Sequence, residues 1–387
     1  MDIVSSKLIN DTSLVLPCIS QCTQTQVWTT FVAMASFYSL RVLSVERETS
    51  DSVVVSFDVP AELRDSFSFE AGQYLTLRTP IEGEEVRRSY SLCSAPHEGA
   101  WKVGIKKVPG GKFSTFASEV LEAGAEMDVM NPQGRFLLKE GSGLHHLGIA
   151  AGSGITPILS QIKQVLSEDP AASYSLFYSN KTAASTMFRE ELQDLKDRFL
   201  DRLRVFYLLT REPVDADLLS GRLDQDRCKR LIDTFCKGRT LDAAYLCGPE
   251  SMIMNCKEAL VEAGMPEGDV KFELFTSASA VKPQVQVVET LDTDTVMMQV
   301  VLDGVTTSVE LEKDKNLLDA ALDAGLDAPY SCLGGVCCTC RAKMVEGKAT
   351  MNINYALEPG EVERGYVLSC QAHVDGSGPF VLDFDQQ

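Results

Sequence analysis

The sequence predicts a multidomain chain: a small antiparallel β-barrel, then an α/β domain on a parallel sheet, then a compact α+β domain. Three observations carry this. Between 36 and 141, short alternating strands are punctuated by Gly and Pro. Between 142 and 278, apolar strands alternate with stretches of helical period. Between 293 and 387, two strands and a short helix lead into a loop with closely spaced cysteines. A length of 387 residues with 44 % hydrophobic content accommodates two or three such units, each with its own core.

Residues 1–35 carry no helix or strand period and read as an N-terminal extension; Met34 lies just before the first convincing strand and could be the true start. The barrel strands fall in YSLRVLSVERE, SVVVSFDVP, GQYLTLRTP, RRSYSLCSAP and WKVGIKKVPGG. In the α/β segment, strands are expected near Leu147, Ser175, Val205, Ala244 and Val270, with helices such as ITPILSQIKQVL and SMIMNCKEALVEAG between them. The stretch SASAVKPQVQVVETLDTD, small residues around a proline, supplies a linker at 279–292. In the last domain, strands are expected at Val296–Leu302 and Thr306–Leu311. The helix NLLDAALDAG should stop at Gly325, where glycine suits a helix C-terminus.

The formal charge of −19 argues against nucleic acid, whose phosphates demand a basic surface. From Thr293 onward, fifteen Asp and Glu face six Lys and Arg. That acidity either steers docking to a basic partner or keeps the domain in solution. No run approaches the ~18 apolar residues of a membrane span, and no secretory signal is visible. The cysteines outside the C-terminal loop therefore read as reduced thiols of a cytoplasmic protein.

Cys332, Cys337 and Cys340 follow the spacing C-x4-C-x2-C in PYSCLGGVCCTCRA, and Cys370 follows in VLSCQA. This is the plant-type [2Fe–2S] pattern, in which one tight loop gives three thiolates and a distant segment closes the cage. Gly334 and Gly335 suit a loop that must wrap closely and turn N–H groups towards sulfur. A zinc site more often combines two short-spaced pairs. Cys338 is adjacent, but only Cys337 satisfies both spacings.

Two further motifs lie in the barrel segment. Arg88-Ser89-Tyr90-Ser91 offers a guanidinium for a pyrophosphate and a ring for a flavin; strand alternation puts Arg88 and Tyr90 on one side and Ser91 on the other, unless the strand bends. Gly110-Gly111-Lys112-Phe113-Ser114-Thr115 combines close backbone approach with hydroxyls at a helix start, suited to phosphate oxygens. In LGIAAGSGITPILS, an apolar strand runs into Gly152-Ser153-Gly154, and Thr156-Pro157 opens a helix. This suits a dinucleotide pyrophosphate as a variant lacking the usual third glycine, the alternative being a plain tight turn. Cys247-Gly248-Pro249 stands at the C-terminal end of a later strand, where open α/β sheets bind ligands, although a buried Cys there is by base rate a packing residue.

The order R-x-Y-S, G-G-x-x-S, G-x-G-x-x-P, C-G-P-x-x-M and C-x4-C-x2-C…C resembles the ferredoxin–NADP reductase superfamily fused to a C-terminal plant-type ferredoxin, over residues 37–387. Within it, NKTAASTMFREELQDLKDRF, CGPESMI, GGVCCTCRA and NYALEPGEVERGYVLSCQA are most similar to the reductase subunits of phenylacetyl-CoA epoxidases. The resemblance implies a flavin-binding barrel at 36–141, an NAD(P)-binding domain at 142–278 and a β-grasp ferredoxin domain at 293–387.

It also implies roles. Arg88, Tyr90 and Ser91 would hold FAD, with Tyr90 and Ser91 at its ring, and Gly111, Ser114 and Thr115 would bind its pyrophosphate. Gly152, Gly154, Thr156 and Pro157 would line the coenzyme's pyrophosphate, and Cys247, Gly248 and Pro249 would flank its nicotinamide. Glu273 and Phe275 would stand near the flavin. Cys332, Cys337, Cys340 and Cys370 would bind the cluster. Where the family often reads G-N-R, this chain has Ser179-Asn180-Lys181; a cation there, with Arg211 as a possible second, favours the 2′-phosphate of NADPH over NADH. The implied function is transfer of electrons from NADPH through FAD and the cluster to the oxygenase component of a multicomponent monooxygenase. Alternatives are a reductase for another ring-hydroxylating or steroid oxygenase, and a redox-sensing iron–sulfur protein. The adjacent His145-His146 read as strand and surface, outside any metal spacing.

Overall fold

The computed structural model describes residues 36–275 and 295–386, except 215, 313 and 377. The expected N-terminal extension and the linker at 279–292 lie outside the described residues.

The barrel is built by β1 (Phe37–Thr49), β2 (Ser52–Asp58), β3 (Tyr74–Ile81), β4 (Glu84–Ser91) and β5 (Trp101–Lys106), then helix α1 (Lys112–Glu119) and β6 (Glu126–Met130). The antiparallel strand order is β4-β3-β6-β1-β2-β5, and a Leu92–Val103 bridge brings the two ends together. Alternate residues Leu40 and Val42, Val53 and Val55, and Leu75 and Leu77 point inward, as a period of two requires. Phe113 of α1 packs into the same core. The sequence marks five strands here; β6 is the sixth, and it completes the sheet by pairing with both β1 and β3.

The second sheet contains β7 (His145–Ala151), β8 (Ser173–Asn180), β9 (Leu203–Leu209), β10 (Ala243–Gly248) and β11 (Val270–Leu274), all parallel, in the order β11-β10-β7-β8-β9. Helices α2 (Ile155–Glu168) and α3 (Arg189–Arg198) contribute Ile158, Ile162 and Leu192 to one core, and α4 (Gln225–Phe235) and α5 (Glu250–Glu262) contribute Leu231 and Ile253 to another. A sheet covered on both faces needs strands apolar on both faces, which explains continuous runs such as LGIAA.

That coverage corrects the surface reading of His145 and His146. β7 is the middle strand, so both side chains are buried. His145 Nε2 lies 3.0 Å from Ser175 Oγ, and the His146 ring stacks on Tyr174 at 5.8 Å. Burial holds the His146 pKa down at about 4, so it stays neutral in the core.

The third unit is an α+β β-grasp. Strands β12 (Thr295–Leu302) and β13 (Val305–Glu312) form a hairpin, and α6 (Leu317–Asp323) packs on it and ends before Gly325 at φ +81. After the cysteine loop come β14 (Arg341–Glu346), β15 (Lys348–Met351), α7 (Pro359–Glu363), β16 (Tyr366–Leu368), β17 (Ala372–Asp375) and β18 (Phe380–Asp383). The main sheet runs β13-β12-β18-β14-β16, with β12 and β18 parallel.

Candidate redox site

A cavity of about 620 Å³ opens where the three units meet. Arg88, Tyr90 and Ser91 of β4 line it, together with Gly111 and Ser114 from the turn into α1. Thr156 of α2, Glu273 at the end of β11 and Phe275 beyond it complete one wall, and Cys332 and Cys337 stand on another. Motifs separated by more than 180 residues in sequence, such as Ser91 and Glu273, are thus brought to one space.

All four residues of Arg88-Ser89-Tyr90-Ser91 line the cavity where β4 leaves the barrel. The Tyr90 ring packs against Phe113 at 5.5 Å, and burial raises its phenol pKa well above the ordinary value, leaving a neutral flat surface. Arg88 donates from Nη1 to the Arg87 carbonyl at 2.6 Å. Ser114 Oγ accepts from the Val108 N–H at 3.1 Å and fixes the turn before α1; Thr115 lies one residue beyond the lining.

Ser91 Oγ donates to Glu273 Oε2 at 2.9 Å, joining the barrel to the parallel sheet. Burial lifts the Glu273 carboxyl to about 7, and the Ser91 bond works against that rise. A buried carboxyl near neutrality, aimed at a cavity, can hold or release a proton beside a bound ring.

Gly152, Gly154, Pro157, Cys247, Gly248 and Pro249 stand outside the lining of this cavity, which the turn reaches only through Ser153; they are grouped at the C-terminal ends of adjacent strands β7 and β10. Gly154 sits so close to β10 that a Cβ would stand 2.2 Å from the Cys247 carbonyl oxygen, so only glycine fits. Thr156 Oγ1 donates to the Ser153 carbonyl at 3.0 Å, and Tyr178 Oη to the Gly152 carbonyl at 2.9 Å. Cys247 is fully buried; burial, reinforced by nearby Glu273, holds its thiol protonated, so it offers bulk rather than nucleophilicity. At the end of β8, Asn180 is buried and its Nδ2 has no hydrogen-bond partner among the described residues. The Arg211 N–H bonds the Lys181 carbonyl at 2.9 Å, which sets these two cationic residues side by side.

The cysteine loop runs through left-handed backbone at Leu333 (φ +55), Gly335 (φ +74) and Cys338 (φ +58). This tight path turns the Gly334 N–H onto Cys332 Sγ at 3.3 Å. The four thiols stand as two contacting pairs, Cys332 with Cys337 and Cys340 with Cys370. No three metal-ligating side chains converge on one point among the described residues. Four thiols in the C-x4-C-x2-C…C spacing, with the Gly334 N–H turned onto Cys332 Sγ, fit a [2Fe–2S] cluster. Cys338 turns away and donates its thiol to the Ala356 carbonyl at 3.3 Å.

Sequence reasoning missed the contacts that seat the cysteine loop on the barrel. Ser89 Oγ lies 2.5 Å from Ser331 Oγ, and Tyr74 Oη contacts both the Cys337 carbonyl and Thr339 Oγ1, the latter at 2.9 Å. Arg87 pairs with Asp327 at 3.1 Å and lies over the Tyr330 ring, while Glu361 accepts from Arg135 of the barrel and forms an ion pair with Arg341 of its own domain. No local pattern marks the residues that seat the loop on the barrel, because their barrel partners lie in another domain.

Residues 39–137 match the oxidoreductase FAD-binding domain, 149–258 the oxidoreductase NAD-binding domain and 300–375 the 2Fe-2S iron-sulfur cluster binding domain. The chain is 42 % identical to the E component of 1,2-phenylacetyl-CoA epoxidase from Escherichia coli (strain K12), covering 91 % of this chain and 99 % of that protein. It is 34 % identical to the ferredoxin reductase component of 3-ketosteroid-9-alpha-monooxygenase from Rhodococcus rhodochrous, covering 86 % and 93 %. Its fold is that of phthalate dioxygenase reductase, with a TM-score of 0.56 at 23 % identity over 90 % of this chain and 98 % of that one. No helix among the described residues is long and apolar enough to cross a membrane.

Proposed function

The chain belongs to the ferredoxin–NADP reductase superfamily, in the group that carries a C-terminal [2Fe–2S] domain, and from that premise we propose that it passes electrons from NADPH through FAD and the cluster to the oxygenase component of a phenylacetyl-CoA epoxidase in the cytoplasm. The observation that carries this reading is the shared cavity: the flavin motif, the Ser91–Glu273 pair and two cluster thiols face one space. When bound, the cofactors supply the conversion of a hydride's electron pair into single electrons.

The chain's residues orient and insulate that chemistry. Arg88 offers its guanidinium to a pyrophosphate, and Tyr90, backed by Phe113, offers a neutral ring face for stacking. Ser91 Oγ and the Glu273 carboxyl together hold a proton at the cavity wall. The Gly152–Gly154 turn at the start of α2 suits the coenzyme's pyrophosphate, with the Cys247-Gly248-Pro249 end of β10 against its nicotinamide. Lys181, beside Arg211, supplies cationic charge for a 2′-phosphate, which favours NADPH over NADH. Cys332, Cys337, Cys340 and Cys370 would hold the irons.

The partner follows from similarity to the epoxidase component over nearly its whole length. The test is oxygen uptake with purified epoxidase oxygenase subunits, NADPH and phenylacetyl-CoA, alongside cytochrome c reduction. Uptake that needs all components supports the reading. Cytochrome c reduction without uptake assigns the reductase to another oxygenase, such as a steroid-oxidising one.

A further inference from the structure

The cysteine loop meets the barrel through hydroxyls, and they sit on the two strands that form the cavity. Tyr74 and Ser89 belong to the paired strands β3 and β4, and both line the cavity. Tyr74 is buried, 3 % exposed, and its phenol bridges 263 residues of sequence to the Cys337 carbonyl and, at 2.9 Å, to Thr339 Oγ1. Ser89 reaches Ser331, the residue before Cys332, and is itself held at 3.1 Å by Thr76 Oγ1. The anchored segments therefore flank the two cysteines that line the cavity. Cys340 and Cys370 lie behind them.

A phenol buried this deeply loses water on both sides and needs its protein partners, so these bonds fix position strongly. The other side of the loop is held within its own domain, by Gln371 Nε2 donating to the Leu333 carbonyl at 2.9 Å and the Tyr355 N–H donating to the Gly335 carbonyl at 3.0 Å, so Tyr74 and Ser89 supply its contacts to the barrel. From this geometry we infer that Tyr74, assisted by Ser89, is a positioning residue for electron transfer within the chain, clamping Cys332 and Cys337 at the flavin cavity. The step is passage of one electron from reduced flavin to the oxidised cluster, with no bond made or broken. The inference rests on the flavin-to-cluster route of the proposed function.

The test uses the full-length protein with FAD and cluster bound. Rapid mixing with NADPH under anaerobic conditions gives the rates of flavin reduction and cluster reduction, and their ratio is compared between wild type and Tyr74→Phe. Hydrogen–deuterium exchange of the amides of 333–341 is measured on the same samples. The expected result is an about tenfold fall in the ratio of cluster to flavin reduction, with faster exchange in the loop. A change in fold alone would slow both reductions together. An unchanged ratio in a fully loaded variant overturns the inference. Should Tyr74→Phe shed a cofactor, Thr339→Val and Thr339→Ser decide: Val should lower the ratio and Ser keep it, and equal ratios for the two overturn the inference. If wild-type cluster takes no electrons from reduced flavin, the route itself fails. The exchange data then still report whether Tyr74 holds the loop, and unchanged exchange overturns the clamp.

Discussion

Ser91 and Glu273 join two domains through one hydrogen bond of 2.9 Å, with Ser91 at the end of a barrel strand and Glu273 at the edge of the parallel sheet. The carboxyl sits where burial favours its protonated form, with a pKa of about 7 against an ordinary 4.5. Between those values the folded chain keeps a proton that the unfolded chain has lost. Stability from this site is therefore full below 4.5 and is lost as pH rises through 7. Glu273→Gln removes the titration. The variant should gain thermal stability relative to wild type as pH rises from about 5 to 8, and its hydride-transfer rate should lose an ionisation near neutrality. Melting curves and single-turnover flavin reduction across that range check both.

Cysteine substitutions should separate ligands from their neighbour. Serine at Cys332, Cys337, Cys340 or Cys370 is expected to abolish the cluster's visible absorbance and its iron content. Cys338→Ala should retain both, because that thiol bonds the Ala356 carbonyl and has no place in either sulfur pair. Iron analysis of the five proteins is the measurement.

The iron–sulfur domain is legible in the sequence because cluster chemistry fixes the spacing of three thiols within one loop, with a fourth, Cys370, in a later segment. The glycine turn of β7 and α2 is legible for a similar reason: Gly154 meets the Cys247 carbonyl, and no other residue fits. Residues that act across domains leave no such trace. Tyr74 falls on the strand face opposite Leu75 and Leu77, Ser89 is the variable position of R-x-Y-S, and Glu361 is one more acid in an acidic domain. The buried histidines are misread because burial in β7 depends on helices packed from both faces, which two adjacent polar letters conceal.

Coenzyme choice should turn on the end of β8. Lys181→Glu places a carboxylate beside Arg211 where the 2′-phosphate would bind. The kcat/KM for NADPH should fall about ten- to a hundredfold and that for NADH should change much less. Steady-state kinetics with both coenzymes and ferricyanide as acceptor check this.

Docking of the ferredoxin domain should be acid-sensitive through Glu361. Burial alone would raise its pKa, but the bonds from Arg135 and the Glu358 N–H and the charge of Arg341 lower it overall. Its contribution is therefore present above the ordinary value of 4.5 and lost as pH falls through the depressed one. At neutral pH, Glu361→Gln should cost about 2–3 kcal/mol, since it strips a carboxylate from the mostly buried Arg341. Urea unfolding monitored at neutral and acid pH should show the gap closing in acid.

The most direct measurement is anaerobic titration of the FAD- and cluster-loaded protein with NADPH, followed by electron paramagnetic resonance. The account predicts that NADPH alone produces the signal of a reduced [2Fe–2S] cluster, and that Cys332→Ser protein, with flavin still reducible, shows none. Full flavin reduction with a cluster that stays oxidised, although dithionite reduces it, would contradict the path from the cavity to the cysteine loop.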